Sequence, residues 1–229
     1  MVNLDKKDAV SGMRVVFVLF VLYLISWAIA YFFPHLVSAT SLRNQFFVVY
    51  STFSGAADNM KHDDFDLDVN AYGGKKDFVR SFAHYFDVKD LCISNDFGLC
   101  LEQGKDVYET LVGDPSVLNY DALNAGQFVL SNDTLIMMHN TSDDLWIYAD
   151  VNGVKIKPNR FGVDVFVFTI NKLTKEFRVL GEPGTLYQNL NKYCNPYTSG
   201  LKYNGFSCSF AAALKSDYFE NTLEALKLK

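Results

Sequence analysis

Oxygen-bearing side chains with the spacing of a cation site lie in the second half of the sequence. Asp150 and Asn152 stand beside Gly153, and Asp164 follows in the same segment. Glycine permits a sharp turn, and calcium prefers carboxylate and amide oxygens. These three residues therefore make calcium a candidate cofactor. The alternative is that Asp150 and Asn152 only hydrogen-bond a turn and fix a strand connection.

A second acidic run has the alternate spacing of the early positions of a calcium loop. Its members are Asp64, Asp66, Asp68 and Asn70. The pattern then fails, because Val69 stands where the loop requires glycine and Lys75 where it requires the closing glutamate. We interpret this run as a solvated acidic loop.

The sequence contains no recognisable catalytic motif. It has no G-x-S-x-G, no P-loop and no G-x-G-x-x-G. The four histidines also stand in separate contexts without the spacing of a metal site, at His35, His62, His84 and His139. We therefore expect no catalytic residues and a protein that is not an enzyme.

The charge balance bears on the class of partner. Asp and Glu outnumber Lys and Arg by 26 to 21, and the formal net charge is −5. A phosphate-binding surface needs clustered basic residues, and the acidic residues are spread through the chain. Nucleic acid is therefore not an expected partner.

The four cysteines form two local pairs, Cys92 with Cys100 and Cys194 with Cys208. Both pairs follow a long apolar stretch, and chain downstream of a membrane span can lie in an oxidising compartment. Neither pair has the C-x2-C spacing of a zinc site. The sequence therefore predicts two disulfides, each contributing about 2.5 to 3 kcal/mol on a loop-entropy model.

The apolar stretch runs from Val15 to Phe33, and Ser26 is its most polar member. A helix of this length and composition can just span a bilayer. Lys6, Lys7 and Arg14 precede it, and the next basic residue is Arg43. The positive-inside rule then predicts a cytoplasmic N-terminus and an exported remainder.

Beyond the stretch, apolar residues recur at helical spacing from Leu36 to Phe53, which predicts that the helix continues with one buried face. Gly55 and the acidic run that follows predict its end.

Aromatic residues from Phe78 to Phe86 predict a short second helix. From Gly126 onward, runs rich in β-branched and aromatic residues predict four to five antiparallel strands covered by the first helix, an α+β fold.

This arrangement resembles that of type IV pilins and type II secretion pseudopilins. Ser11-Gly12, directly before the apolar run, is similar to the end of a prepilin leader, which a prepilin peptidase cuts after glycine. The resemblance implies that Met13 becomes the new, methylated N-terminus. Counted from Met13, Pro34 falls where pilins carry a helix-kinking proline.

A second likeness lies in the body of the chain. The segment DVNGVKIKPNRFGVDVF, residues 150–166, resembles a D-x-N-G-x-K-x-x-P-N-x-x-G-x-D-x-F segment of many bacterial prepilin-like proteins. Those proteins also end in a cysteine-bounded loop and a short helix, as Cys194 to Cys208 and FAAALKSDYF do here. Some pseudopilins bind calcium in their loops.

The resemblance implies three regions: a cytoplasmic leader-like segment at 1–12, a transmembrane and amphipathic helix at 13–57, and an exported pilin-like domain at 58–229. The implied function is that of a structural, non-enzymatic subunit of a type IV pilus or a pseudopilus-like filament. The subunit would be anchored in the bacterial inner membrane, with a periplasmic or extracellular C-terminal domain. Its partners would be the bilayer, prepilin peptidase and other pilin-like subunits. The residues expected to support assembly are Phe17, Phe20, Leu24, Trp27, Phe32 and Pro34.

One position departs from the pilin pattern. Phe17 stands where most pilins have a glutamate that docks onto the preceding subunit, and Arg14 is atypical beside the cut. Certain minor, tip-located pseudopilins lack that glutamate, which is compatible with a minor subunit or a pilin-derived protein outside a fibre. The alternative function is that of a monomeric, membrane-tethered extracytoplasmic binding or sensor domain.

Overall fold

The structure is a computed structural model, and it describes residues 16–25, 38–93, 100–101, 107–115, 118, 123 and 125–228. The chain divides into two compact units, Met1–Leu36 and Val37–Lys229. In the first unit residues 16–25 are helical, and all of them except Val21 are exposed. We call these residues the apolar segment.

The second unit is α+β, as the sequence predicts. Its helices are α1 (Ala39–His62), a 3-10 turn (Val69–Ala71), α2 (Lys75–Ala83), α3 (Leu190–Tyr193), α4 (Cys208–Leu214) and α5 (Tyr218–Ala225). Its strands are β1 (Val88–Leu91), β2 (Gly126–Leu130), β3 (Leu135–Asn140), β4 (Asp144–Asp150), β5 (Val165–Asn171) and β6 (Phe177–Val179).

Helix α1 begins where Ser38 caps it, with the Ser38 hydroxyl accepting the Ser41 N–H at 3.1 Å. The helix runs past Gly55 to His62, beyond the end that the glycine predicts. It continues because the residues after Gly55 extend its buried stripe, whose members are Leu42, Phe46, Val49, Phe53, Ala56, Ala57 and Met60. Burial of these side chains outweighs the low helix propensity of one glycine.

The six strands form one antiparallel sheet in sequence order, from β1 to β6. Strands β2 to β6 lie where the sequence predicts them, and β1 is one strand more than the four to five expected. β1 has the sequence Val-Lys-Asp-Leu, so two of its four residues are charged. A short edge strand of this kind leaves no apolar pattern in the sequence.

Both faces of the sheet are buried. On the inner face Ile147, Phe166 and Phe168 belong to the core that includes α1. On the outer face Trp146 and Tyr148 belong to a second core. Irregular segments cover that outer core, and they contribute Tyr108, Leu180 and Phe206. Strands that are covered on both sides read as continuous apolar runs, which explains the TLIMMH run around β3.

Phe46 provides a test of the inner core. Its ring lies 4.7 Å from that of Phe166 and 5.9 Å from that of Phe219. Because Phe46 is fully buried, we expect Phe46→Ala to lower the free energy of unfolding by about 3 to 5 kcal/mol. The neighbouring Phe47 is 38% exposed, and Phe47→Ala should cost within about 1 kcal/mol. Urea unfolding of the full chain in detergent measures both, and equal losses would contradict the packing described.

Candidate functional site

Two buried carboxylates lie at the ends of the loop that joins β4 to β5. Asp150 is the last residue of β4, Asp164 precedes β5, and both are fully buried. The Val151 N–H donates to the Asp164 carbonyl at 2.9 Å, which closes the loop. The Asn152 amide donates to Asp164 Oδ2 at 3.3 Å. The structure therefore brings the three predicted cation ligands into one cluster.

Gly153 has the turn role that the sequence assigns to it. Its φ is +78°, and a Cβ at this position would lie 2.8 Å from the Asp133 carbonyl oxygen. A residue other than glycine would therefore be strained and would clash with the β2–β3 turn.

The Asp164 carboxylate organises the centre of the loop. It accepts the backbone N–H groups of Asn159 at 2.9 Å and Arg160 at 2.6 Å, in addition to the Asn152 amide. Asn159 has a φ of +55°, a left-handed conformation that asparagine tolerates better than most residues. The carboxylate thus stabilises a turn in which two successive backbone N–H groups point inward.

The Asp150 carboxylate accepts fewer hydrogen bonds than that of Asp164. Its Oδ2 accepts the Tyr108 hydroxyl at 2.8 Å, and its Oδ1 has no hydrogen-bond partner among the described residues. The side-chain oxygens of Asn152 and Asn159 are also buried and unpaired within the described part of the chain. Buried polar atoms left without partners are costly and uncommon in folded proteins. Two of these three oxygens belong to residues that donate a hydrogen bond to Asp164, namely Asn152 and Asn159.

Burial dominates the electrostatics of the two carboxyl groups. It raises the pKa of Asp150 well above its usual value, and the nearby Asp164 charge raises this pKa further. The Tyr108 hydroxyl and the backbone N–H groups of Gly153 and Asn152 lower the Asp150 pKa, although neither N–H forms a hydrogen bond with Oδ1. Burial also raises the pKa of Asp164 to about 6, against the opposing N–H groups of Arg160 and Asn159.

Arg160, whose backbone N–H bonds Asp164, does not neutralise this charge with its side chain. The Arg160 guanidinium donates to Glu109 at 2.7 Å instead. Within the described ranges neither Asp150 nor Asp164 takes part in an ion pair. A buried carboxylate without a counterion is retained as a neutral acid or beside a bound cation.

The loop also anchors the C-terminal segment. The Phe161 ring lies 4.7 Å from that of Phe206. Gly162, at φ +82°, lies so close to Cys208 that a Cβ would be 2.7 Å from its sulfur. The Tyr218 hydroxyl of α5 donates to the Gly162 carbonyl at 2.6 Å. The position of the disulfide-bonded segment therefore depends on the fold of this loop.

The sequence did not indicate two members of the cluster, Tyr108 and Asn159. Tyr108 lies in an irregular segment far from the loop along the chain, and no local pattern marks it. Asn159 does have a signal, because it follows Pro158 in the P-N of the segment at residues 150–166 and lies in a left-handed conformation. Its carboxamide donates to the Val154 carbonyl at 2.9 Å.

The acidic run at Asp64 to Asn70 forms turns. The Asp66 carboxylate accepts the Asp68 N–H at 2.8 Å, and the Asp68 carboxylate accepts the Asn70 N–H at 3.1 Å. Asp68 also lies 3.8 Å from the Lys172 ammonium. Across the described residues, no group of three or more His, Cys, Asp or Glu side chains could hold a metal ion. The Asp150 cluster has only two carboxylates, and its other oxygens are carboxamides.

Both predicted disulfides are confirmed. Cys92 bonds to Cys100, and Cys194 bonds to Cys208. The resemblance implied one short helix after the second pair, and the structure has two, α4 and α5, separated at Lys215-Ser216-Asp217.

The predicted assembly residues are only partly within the described chain. Phe17, Phe20 and Leu24 lie in the apolar segment, and Phe17 is 67% exposed. The remaining predicted residues lie outside the described residues, namely Gly12, Met13, Trp27, Phe32 and Pro34. Considering the described residues alone, no helix has both the length and the apolar character needed to cross a membrane.

Comparison with known proteins returned no match to a family model, a curated protein or a solved structure.

The raised carboxyl pKa values predict a pH dependence of stability. A carboxyl group whose pKa is higher in the folded than in the unfolded chain favours folding below about pH 4 and loses that contribution as the pH rises through the folded pKa. For Asp164 the loss centres on about pH 6, and for Asp150 it extends higher. In the presence of a chelator, we expect the free energy of unfolding to fall on the order of 1 to 3 kcal/mol between pH 4 and pH 8.

Chemical denaturation across this pH range measures the loss. Asp150→Asn keeps the shape of the side chain and removes its charge, so its curve should be flatter than that of the unsubstituted chain. Parallel curves for the two proteins would show that the cluster does not cause the dependence.

The two disulfides should differ in their contribution to stability. Cys194–Cys208 closes a longer sequence separation than Cys92–Cys100, 14 against 8 residues, and Cys208 is fully buried against Gly162. We expect Cys194→Ala with Cys208→Ala to lower the free energy of unfolding by about 3 kcal/mol or more, and the other double substitution by about 2.5 kcal/mol. Thermal unfolding of both variants measures the order, and a reversed order would contradict it.

Proposed function

We propose that this chain is a structural subunit of a type IV pilus or a pseudopilus-like filament, anchored in the inner membrane of a bacterium before assembly. The observation that carries the proposal is the apolar segment. Its residues are helical, every one is apolar except for the Tyr23 hydroxyl, and side chains on all sides are exposed, with Phe17 at 67% and Phe20 at 56%. Such a surface is stable only when lipid or other apolar helices cover it.

Helix α1 gives independent support. One side of it is buried against the sheet, and on another side Phe47 and Val48 are 38% and 50% exposed. Two adjacent large apolar residues on a helix that already has a buried face are available for a further partner. In the proposed filament, that partner is a neighbouring copy of the chain.

The architecture of the second unit is compatible with this role. A long helix packs on an antiparallel sheet, and a disulfide-bonded segment lies near the C-terminus. The sequence likeness to pilins implies these features. The two disulfides also agree with an oxidising compartment, because thiol pairs in the cytosol are kept reduced.

Prepilin peptidase would first remove residues 1–12 by cutting after Gly12. Assembly itself would then require no catalysis by this chain. The membrane-embedded helix would leave lipid and bundle with equivalent helices of its neighbours. Equivalent head-to-tail contacts between identical subunits generate an open helical filament when the rotation does not close a ring. Phe17, which stands in place of the usual glutamate, is compatible with a minor position in the fibre.

Cysteine crosslinking in native membranes tests the proposal directly. Val48→Cys introduces a thiol on the exposed side of α1, and we expect a bifunctional thiol reagent to give covalent dimers and larger species of this chain. Leu173→Cys is the matched control, since Leu173 is an apolar residue that is 90% exposed at the β5–β6 turn. Crosslinking should be weaker there. Mass spectrometry of the same material should show loss of residues 1–12.

Two results would oppose the filament. An intact N-terminus with only monomers after crosslinking would favour the membrane-tethered binding or sensor domain. A cleaved chain that stays monomeric would show processing without assembly, and it would also remove the support for a fibre subunit.

A further inference from the structure

Three buried side-chain oxygens near Asp164 form a region that is rich in hydrogen-bond acceptors. Asp150 and Asn159 are completely buried, and Asn152 is 7% exposed. Each has one side-chain oxygen without a hydrogen-bond partner in the described chain. The orientation of the carboxamides is fixed by their donors, because Asn152 donates to Asp164 and Asn159 donates to the Val154 carbonyl. Rotating either amide would remove a hydrogen bond, so these oxygens remain acceptors.

Two of the three oxygens belong to residues that are hydrogen-bonded to the Asp164 carboxylate, and the third belongs to its neighbour Asp150. Asn152 bonds Asp164 Oδ2 through its side chain, and Asn159 bonds the same oxygen through its backbone N–H. Asp150 pairs with Val165 across β4 and β5, and the next residue, Val151, donates its N–H to the Asp164 carbonyl at 2.9 Å, so Asp150 lies beside Asp164. Two carboxylates and two carboxamides therefore occupy one buried region that contains acceptors in excess of donors. This is the composition that a hard cation requires.

The donor set distinguishes between metal ions. All the available atoms are oxygens, which excludes the nitrogen and sulfur ligation that zinc prefers. Magnesium usually keeps several of its waters, and the unpaired oxygens are shielded from solvent. Calcium accepts six to eight protein oxygens with flexible geometry, including backbone carbonyls. The cluster therefore fits calcium better than magnesium or zinc.

We propose that Asp150, Asn152 and Asn159 bind a calcium ion through their unpaired side-chain oxygens, and that Asp164 and Tyr108 are positioning residues. Asp164 is assigned this role because its oxygens already accept N–H groups from Asn159 and Arg160. Tyr108 holds the other oxygen of Asp150 at 2.8 Å. The proposal does not rest on filament formation, since the site lies entirely within Val37–Lys229.

The bound ion would stabilise the loop that holds the C-terminal segment. Residues between Asn152 and Asp164 contact Phe206, Cys208 and Tyr218 through Phe161 and Gly162. Calcium should therefore slow amide hydrogen exchange at Asn159 and Arg160, and it should raise the unfolding temperature.

Calcium binding to the purified full-length chain in detergent tests the site. The chain is first treated with a chelator, and calcium binding is then measured by equilibrium dialysis over a range of calcium concentrations. We expect saturable binding of one ion. Asp150→Asn keeps the side-chain shape and the Tyr108 contact, and it should weaken binding by at least about a hundredfold. The matched control is Asp64→Asn, since Asp64 is exposed and its φ of +51° suits asparagine. The control should leave the affinity unchanged.

Asn159→Gly separates loss of a ligand from loss of the fold. Glycine tolerates the left-handed conformation at this position, so the backbone can keep its bonds to Asp164 while the carboxamide oxygen is removed. We expect at least about a tenfold loss of calcium affinity with circular dichroism unchanged. Tyr108→Phe should weaken calcium binding less than Asp150→Asn, as expected of a positioning residue.

Several results would overturn the proposal. The first is that the unsubstituted chain shows neither calcium binding nor a calcium-dependent rise in unfolding temperature, which would mean that Asp150 keeps a proton instead. The second is that Asp150→Asn and Asn159→Gly both bind calcium like the unsubstituted chain. The third is that Asp64→Asn abolishes binding, which would place the ion in the acidic run at Asp64 to Asn70.

Discussion

The Asp164 carboxylate is the interaction on which the centre of the second unit depends. By accepting the N–H groups of Asn159 and Arg160 at 2.9 and 2.6 Å, it fixes a turn that the backbone would not adopt readily, since Asn159 is left-handed. The turn places Phe161 and Gly162 against the C-terminal segment. One side chain therefore determines how the middle of the sequence meets its end.

The two-sided burial of the sheet explains the chemistry of that loop. A sheet with one wet face would leave the end of β4 in contact with water, and its carboxylate would ionise as usual. Here irregular segments cover the outer face, and one of them brings Tyr108 to Asp150. Desolvation is therefore the dominant influence on both carboxyl groups. The layer that completes the outer core also buries these two carboxyl groups, and burial favours a bound proton or a bound cation at them.

Much of the fold was predictable, because apolar periodicity marks the elements that bury a face. The strands from β2 to β6 and the helix α1 have such patterns. β1 has no apolar pattern, because two of its four residues are Lys89 and Asp90. It forms a strand because it pairs with β2. The end of α1 was not predictable from Gly55, because packing of the residues beyond it overrides local propensity. In the site, Asp150, Asn152 and Asp164 were identifiable from one short segment. Tyr108 was not, because it is distant in the sequence and only the fold brings it to Asp150.

The packing of α5 has a consequence for the order of folding. Phe219 lies 5.9 Å from Phe46 at the start of the unit and 5.8 Å from Phe166 in the middle of the sheet. Rings from α1, β5 and α5, which lie far apart in the sequence, thus share one cluster. Contacts of such long sequence separation form late and slowly, because the closure of large loops precedes any gain from them. A nascent chain therefore cannot complete this cluster until α5 has been synthesised, and until then Phe46 lacks one of its neighbours.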